Sequence, residues 1–536
     1  MAERWSVGCY LVELLAANGI DTVFGIPGVH TLELYRGLAA TGLRHILVRH
    51  EQVAGFAADG HARVSGRPAA AFVISGPGLT NILTPIAQAY SDSVPMLVVA
   101  STPARATLGK GWGVLHELRD QRAVAAGAAG RAHAARSVDD IRDHLRAIFA
   151  SFRSGRPRPA YLEVPIDLLA EPTTRRAERF AEAARPPQPS AHAIAEAARW
   201  LSGASRPLII AGGGARPAGA ALRELAERLD AFVITTTAAK GVLPETHPAS
   251  LGASLPFPQV RELACTCDVV LAVGTELSET DLYFIDHLPL AGRLIRVDLD
   301  PVKLADHYAA QLAVCGDARA TLEGIAPLIE ARSGWRTQVG GASALRARAR
   351  FDGALDGPVR GCVRALQAIR AGLPMDGVVF GDMTQITYIG GYAFPVDRPG
   401  GWFAPSGYGT LGFAFPAALG AKVAQPGRAI VALAGDFGFQ YTSQDLATAV
   451  ELELALPIVV WNNRALGQIR DDMNAAAIPP IGVVGRNPDF LALARAYGAQ
   501  AVRAAGPEAL TRELQLALTR GGPTVIEALD TDFQAD

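Results

Sequence analysis

The sequence predicts an α/β protein of three doubly wound parallel-sheet domains, on three observations. Short apolar runs of about 5 residues, each closed by Gly, Pro, Ser or Asp and followed by a longer amphipathic stretch, recur along the whole chain, which is the rhythm of parallel βα units. At 536 residues the chain is too long for one hydrophobic core and divides naturally into three units. Two polar stretches, near 171–190 and 331–357, fall where such a division needs connections.

In the first unit, residues 1–170, the expected strands are Thr22–Phe24, His45–Val48, Ala70–Ile74, Met96–Ala100 and Ala160–Val164. Their central residues are uncharged, with Glu163 only near the end of the last, as strands covered by helices on both faces require. The segment EPTTRRAERFAEAARPPQPS then has the composition of an exposed connection. A second unit, 190–330, places strands at Leu208–Ala211, Phe232–Thr235, Val269–Val273 and Leu294–Asp298. The third, 358–536, places them near Val378–Phe380, Ala429–Ala434, Ile458–Trp461 and Thr524–Leu529.

The formal charge is 50 − 52 = −2 with scattered basic residues, so no footprint for nucleic acid or an anionic membrane is visible. No apolar run is long enough to span a bilayer, and the N-terminus, with Trp5, Glu13 and Asp21 in a helical pattern, does not read as a signal peptide. Five cysteines with one close pair, Cys265 and Cys267, argue against a disulfide framework and for ordinary thiols. The expectation is a cytoplasmic protein whose partners are small molecules and copies of itself.

The most informative segment is an apolar strand (AIVALA), then GDFGF, a helix, a second apolar strand (LPIVVW) and Asn462-Asn463. Asp436 and Asn463 lie 463 − 436 = 27 residues apart, each just past the C-terminal end of a strand, where open parallel sheets gather their ligands. Two such oxygen ligands suit Mg²⁺, which fills the rest of its octahedral shell with diphosphate and water. Taken singly, Asp436 reads as a helix cap and the Asn pair as a turn; the joint arrangement points to the metal.

With this pattern the chain resembles, over essentially its whole length, the thiamine diphosphate enzyme family, in the branch of acetohydroxyacid synthases and of benzoylformate and pyruvate decarboxylases. The resemblance makes 1–170 a pyrimidine-binding domain, 190–330 a central domain and 358–536 a diphosphate-binding domain. It implies Asp436, Asn463 and the backbone carbonyl of Ala465 as Mg²⁺ ligands. The family's GDG departs here to Gly435-Asp436-Phe437, with Gly438 following, so that Gly438 takes over the close backbone approach to the diphosphate beside Phe437. In SGYGTLGFAFPAALGAKVA, the resemblance gives the pyrimidine's 4′-amino group to the carbonyl of Gly409, with Thr410 beside it, and makes Leu411 the wedge that bends the cofactor. In Arg49-His50-Glu51-Gln52 it makes Glu51 the partner of the pyrimidine N1′, through which the cofactor deprotonates its own thiazolium; the competing reading is a helix-capping glutamate. Gly76 and Gln385 complete the implied cofactor contacts. Glu51 and Asp436 lie in different domains, and the family precedent is a cofactor bridging two subunits, hence a homodimer or homotetramer.

The cofactor sets the reaction class, so the substrate is sought in the pocket. In NNRALGQIRDDM, Gln468 and Asp472 stand where acetohydroxyacid synthases carry methionine and tryptophan, an apolar pocket turned acidic. Carboxylates there, Asp472 with Asp471, call for a cationic partner, the alternative being a solvated helix face. His30 in VFGIPGVHTLELYRGL and His116 in GWGVLHEL are placed to hold the substrate carboxylate or relay protons. These segments look like the bacterial 5-guanidino-2-oxopentanoate decarboxylases, and a guanidinium pairs well with a planar carboxylate. The central AGGGARPAG lacks a full GxGxxG, so FAD is not expected. The resulting expectation is decarboxylation of a 2-oxo acid to aldehyde and CO₂. The alternatives are carboligation of the acetolactate synthase type and a non-catalytic nucleotide-binding protein.

Overall fold

The computed structural model describes residues 5–181, 185–282, 285, 287–342 and 357–534. Three six-stranded sheets, parallel throughout, follow one another along the chain. The first holds β1 Thr22–Gly25, β2 Arg44–Leu47, β3 Ala69–Val73, β4 Met96–Thr102, β5 Arg131–Ala134 and β6 Ala160–Pro165 in the order β2-β1-β3-β4-β6-β5. The second holds β7 Pro207–Ala211, β8 Phe232–Thr235, β9 Ser250–Gly252, β10 Val269–Val273, β11 Arg293–Asp298 and β12 Leu312–Cys315 in the order β12-β11-β10-β7-β8-β9. The third holds β13 Val378–Gly381, β14 Trp402–Phe403, β15 Ile430–Gly435, β16 Pro457–Asn462, β17 Gln500–Arg503 and β18 Thr524–Leu529 in the order β14-β13-β15-β16-β18-β17.

Every strand expected from an apolar run is present, and the five others, β5, β9, β12, β14 and β17, all lie at sheet edges. An edge strand pairs on one side only and tolerates polar residues, as the half-exposed RAHA of β5 and QAVR of β17 do; β9 and β14 are buried but only three and two residues long. The polar stretch 171–190 forms no helix among its described residues before Ser190 caps the helix Ala191–Ser202. The second polar stretch, 331–357, lies largely outside the described residues. Among the described residues no helix is long and apolar enough to cross a membrane.

The chain order reverses between β1 and β3, between β7 and β10, and between β13 and β15. Such reversals splay successive crossovers to opposite faces and open a crevice beyond the strands' C-terminal ends. In the second sheet the loops leaving β7 and β10 meet through their backbones at this point: a Cβ on Gly274 would lie 2.7 Å from Gly214, and one on Gly212 would lie 2.3 Å from the oxygen of Gly274.

One apolar core runs from the first sheet into the third. At its centre the helices Glu51–Ser65 and Ala414–Ala424 cross in backbone contact, because a Cβ on Gly60 would lie 1.9 Å from the oxygen of Ala417 and one on Gly420 1.9 Å from that of Ala57. Beside the crossing, buried Arg63 pairs with Asp59 at 2.5 Å and Asp92 at 2.7 Å, and Asp92 Oδ1 accepts from Gly407 N–H at 2.9 Å. The Glu51 helix and the glycine-rich turn of the third sheet are therefore tied by fixed contacts.

Candidate active site

The third sheet's crevice is built from three neighbouring strand ends. Because β13, β15 and β16 are parallel and adjacent, Gly381-Asp382, Gly435-Asp436 and Asn462-Asn463 emerge side by side. Asp436, 2% exposed, accepts from Asn487 Nδ2 at 2.6 Å and from the backbone N–H of Arg464, which brings it against the turn that follows Asn463. Burial pushes its carboxyl upward, an effect its hydrogen-bond donors oppose. Asn463 Oδ1 accepts from Ala465 N–H at 3.1 Å. Asp436, Asn463 and Ala465 therefore lie on neighbouring loops, and a carboxylate, an amide oxygen and a backbone carbonyl are donors that a hard divalent cation could take.

Asp382 is a residue that spacing alone does not single out. It is 1% exposed, and its carboxylate accepts from Met383 N–H at 2.9 Å and from Gly412 N–H at 3.0 Å. Burial raises its pKa to about 6. It therefore pins the 405–412 turn, in which Gly409 has φ +76° and donates to Pro405 at 2.9 Å. Thr410 and Leu411 are half-buried there instead of being absorbed in the core. The same carboxylate faces Gly438, whose Cβ would lie 2.5 Å from Oδ2, so glycine at 438 is needed to seat Asp382. Phe437 turns its ring against Gly485, where a Cβ would lie 2.9 Å from the ring.

Gln385, at the start of the helix Gln385–Ala393, links the cradle to the acidic helix Gly467–Ala475: its Oε1 accepts from Asn463 Nδ2 at 3.4 Å, and its Nε2 donates to Asp471 at 2.8 Å. Asp472 is held by Gln468 at 2.9 Å on its own helix. Both aspartates are exposed, and of the two it is Asp471 that is bonded into the cradle's network.

At the first sheet, Glu51 opens its helix but does not cap it, since His50 Nδ1 accepts from Gln52 N–H at 3.1 Å and takes that role. Glu51 Oε2 accepts from Asn81 Nδ2 at 2.9 Å. Its approach is fixed by the third domain, where buried Asp445 accepts from Arg49 N–H at 2.9 Å and Glu451 pairs with the Arg49 guanidinium. The β1/β3 crevice holds His30 and Gly76: His30 Nδ1 lies 2.7 Å from Ser75 Oγ, and the His30 and His116 rings meet edge to face at 5.3 Å. Burial, then the neighbouring His116, lowers the His30 pKa. His116 has φ +62°, a left-handed conformation uncommon for a residue with a Cβ. The loop that carries it is braced by Glu117, which accepts from Gly111 and Gly113 N–H at 3.0 and 2.9 Å.

Sequence reasoning missed Asp382, Asn487 and the Asn81 partner of Glu51. Gly381-Asp382 repeats, one strand over, the Gly-Asp step of Gly435-Asp436, a signal that was there to be read; Asn487 comes from an irregular segment and had none.

Comparison with known proteins fits this geometry. Family models described as thiamine pyrophosphate enzyme, N-terminal TPP binding domain, central domain and C-terminal TPP binding domain match residues 6–124, 194–325 and 382–528. The chain is 48% identical over 529 residues to the probable 2-ketoarginine decarboxylase AruI of Pseudomonas aeruginosa, covering 97% of this chain and 93% of that one. It is 31% identical over 538 residues to the probable acetolactate synthase large subunit of Methanocaldococcus jannaschii, covering 96% and 90%. To the acetolactate synthase isozyme 1 large subunit of Escherichia coli it is 30% identical over 550 residues, covering 98% and 94%.

Proposed function

The chain belongs to the thiamine pyrophosphate enzyme family, and on that footing we propose that it decarboxylates a 2-oxo acid with a cationic, guanidino side chain to an aldehyde and CO₂. The observation that supports the substrate reading is the Gln385 side chain, which bonds both to Asn463 at 3.4 Å and to the Asp471 carboxylate at 2.8 Å. The likeness to a probable 2-ketoarginine decarboxylase supports it.

Residues 1–170 form the pyrimidine-binding, 190–330 the central and 358–536 the diphosphate-binding domain. Asp436, Asn463 and the Ala465 carbonyl would hold Mg²⁺ through hard oxygen donors. The pyrimidine is held by Gly409, Thr410 and Leu411, with Gly76 against it from the first domain. The backbone of Phe437 and Gly438, with Gln385, faces the diphosphate. When bound, thiamine diphosphate supplies the sink for the electron pair that departing CO₂ leaves behind.

The chain's own residues supply the rest. The Glu51 carboxyl, steadied by Asn81, would pair with the pyrimidine ring nitrogen and exchange a proton with it. His30 and His116 hold the substrate carboxylate and deliver a proton to the carbon that loses it. Asp471, with Asp472 and Gln468, pairs with the guanidinium. Glu51 of one copy meets Asp436 of another, so the active form is a homodimer or homotetramer. A cytoplasmic location suits the five free cysteines.

Carboligation of the acetolactate synthase type is the second reading, favoured by the 30–31% identical relatives. The two are separated by product analysis. Cofactor-loaded protein given 5-guanidino-2-oxopentanoate yields CO₂ and the guanidino aldehyde in equal amounts; a ligated carbon-carbon product in place of the aldehyde would overturn the decarboxylase reading.

A further inference from the structure

The two imidazoles of the first sheet's crevice share one support, the dipeptide Ser75-Gly76. Ser75 Oγ meets His30 Nδ1 at 2.7 Å, and a Cβ on Gly76 would lie 2.7 Å from the backbone oxygen of His116, so Gly76 and His116 touch through their backbones. Gly76 has φ +64° and His116 φ +62°. A residue with a Cβ, such as His116, keeps a left-handed conformation only where the surroundings dictate it.

A buried chain of hydrogen bonds does so. Gly76 N–H donates to Gln121 Oε1 at 2.9 Å. Gln121 Nε2 donates to the carbonyl of Ser101 at 2.9 Å and to the hydroxyl of Tyr161 at 2.8 Å, and that hydroxyl donates to Glu163 Oε2 at 3.1 Å. The Gln121 amide is fully used, and its orientation is forced: flipped, it would set its NH₂ against the Gly76 N–H and its oxygen against the Ser101 carbonyl. Because the amide occupies the Tyr161 oxygen as an acceptor, the hydroxyl proton must go to Glu163. Ser75, Ser101, Gln121 and Tyr161 are all buried, so no solvent competes for these bonds.

We propose that Gln121, Tyr161 and Glu163 are positioning residues that fix the Ser75-Gly76 turn and through it set the two imidazoles of His30 and His116. The predicted effect on turnover rests on the proton-delivery role given to those histidines above; the structural effect does not. Removing the Gln121 amide takes this partner from the Gly76 N–H and the Ser101 carbonyl and leaves the Tyr161 hydroxyl with Glu163 alone, and the turn relaxes to find new partners. A catalytic group displaced by about 1 Å loses on the order of a hundredfold in rate.

The test uses Gln121→Leu and the milder Tyr161→Phe. In cofactor-free protein, hydrogen exchange of peptides spanning 74–80 and diethyl pyrocarbonate modification of His30 and His116 are read by mass spectrometry. In cofactor-loaded protein, kcat and KM are measured with 5-guanidino-2-oxopentanoate. Exchange at 74–80 should quicken and both modification rates should change, while kcat falls roughly tenfold to a hundredfold. Folded variants whose exchange and histidine modification match the parent overturn the proposal. Altered exchange and modification with undiminished kcat uphold the positioning chain and remove the proton-delivery role of the histidines.

Discussion

Asp382 and Gly438 are packed so closely that a methyl group on the glycine would lie 2.5 Å from the carboxylate oxygen. The carboxylate cannot swing away, because Met383 and Gly412 N–H hold it from behind. This contact explains why glycine stands at 438. Gly438→Ala is expected to cost about 1–3 kcal/mol by overpacking and to weaken thiamine diphosphate binding. Denaturant unfolding and cofactor titration check both; a variant that binds cofactor like the parent contradicts the account.

The helix crossing predicts a purely structural loss. Gly60→Ala and Gly420→Ala each drive a Cβ into a backbone carbonyl at 1.9 Å, where no side chain can yield. Each should destabilise by about 1–3 kcal/mol or more despite alanine's better helix propensity. Thermal unfolding that shows either variant equal to or above the parent would contradict the packing.

Glu163 gives a pH dependence. Burial raises its pKa from 4.5 to about 6, against opposing hydrogen bonding from Tyr161. The folded protein therefore binds this proton more tightly than the unfolded chain. Its contribution to stability is full below pH 4.5 and is lost as pH rises through about 6, a change of about 2 kcal/mol. Glu163→Gln, which does not titrate, should flatten the stability profile across that window; an unchanged profile would show that Glu163 is not the group responsible.

Glu51→Gln keeps the size of the side chain and removes its exchangeable acid. Turnover should fall at least about a hundredfold while Mg²⁺ and thiamine diphosphate remain bound. Retained turnover would show that Glu51, despite its place beside Asn81, is not the activating group.

The acidic helix predicts unequal roles for its two aspartates. Asp471→Asn should reduce the preference for a guanidino over a neutral 2-oxo acid by roughly tenfold to a hundredfold in kcat/KM, the scale of one charged hydrogen bond. Asp472→Asn should do less, because each aspartate has a partner on its own helix, Arg470 for Asp471 and Gln468 for Asp472, and it is Asp471 that Gln385 also holds. A reversed ranking would move the guanidinium site toward Gln468.

What the sequence showed and hid follows from burial. Central strands such as Val269–Val273 are covered on both faces and read as apolar runs, whereas the edge strands Arg131–Ala134 and Gln500–Arg503 do not. Asp436 and Asn463 were legible because consecutive βα units fix their spacing. Asn487, which bonds to Asp436 and Asn462, and Gln121, which bonds across to Gly76 and Tyr161, act through tertiary contacts between distant segments, for which periodicity leaves no trace. That Gln385 bonds to Asp471 likewise depends on its position in space.

The central claim is tested most directly by giving protein loaded with thiamine diphosphate and Mg²⁺ a panel of 5-guanidino-2-oxopentanoate, pyruvate and benzoylformate and following CO₂ with identification of the organic product. The first compound should yield a guanidino aldehyde, and the other two should turn over little. Acetolactate from pyruvate, with the guanidino acid untouched, would contradict the claim.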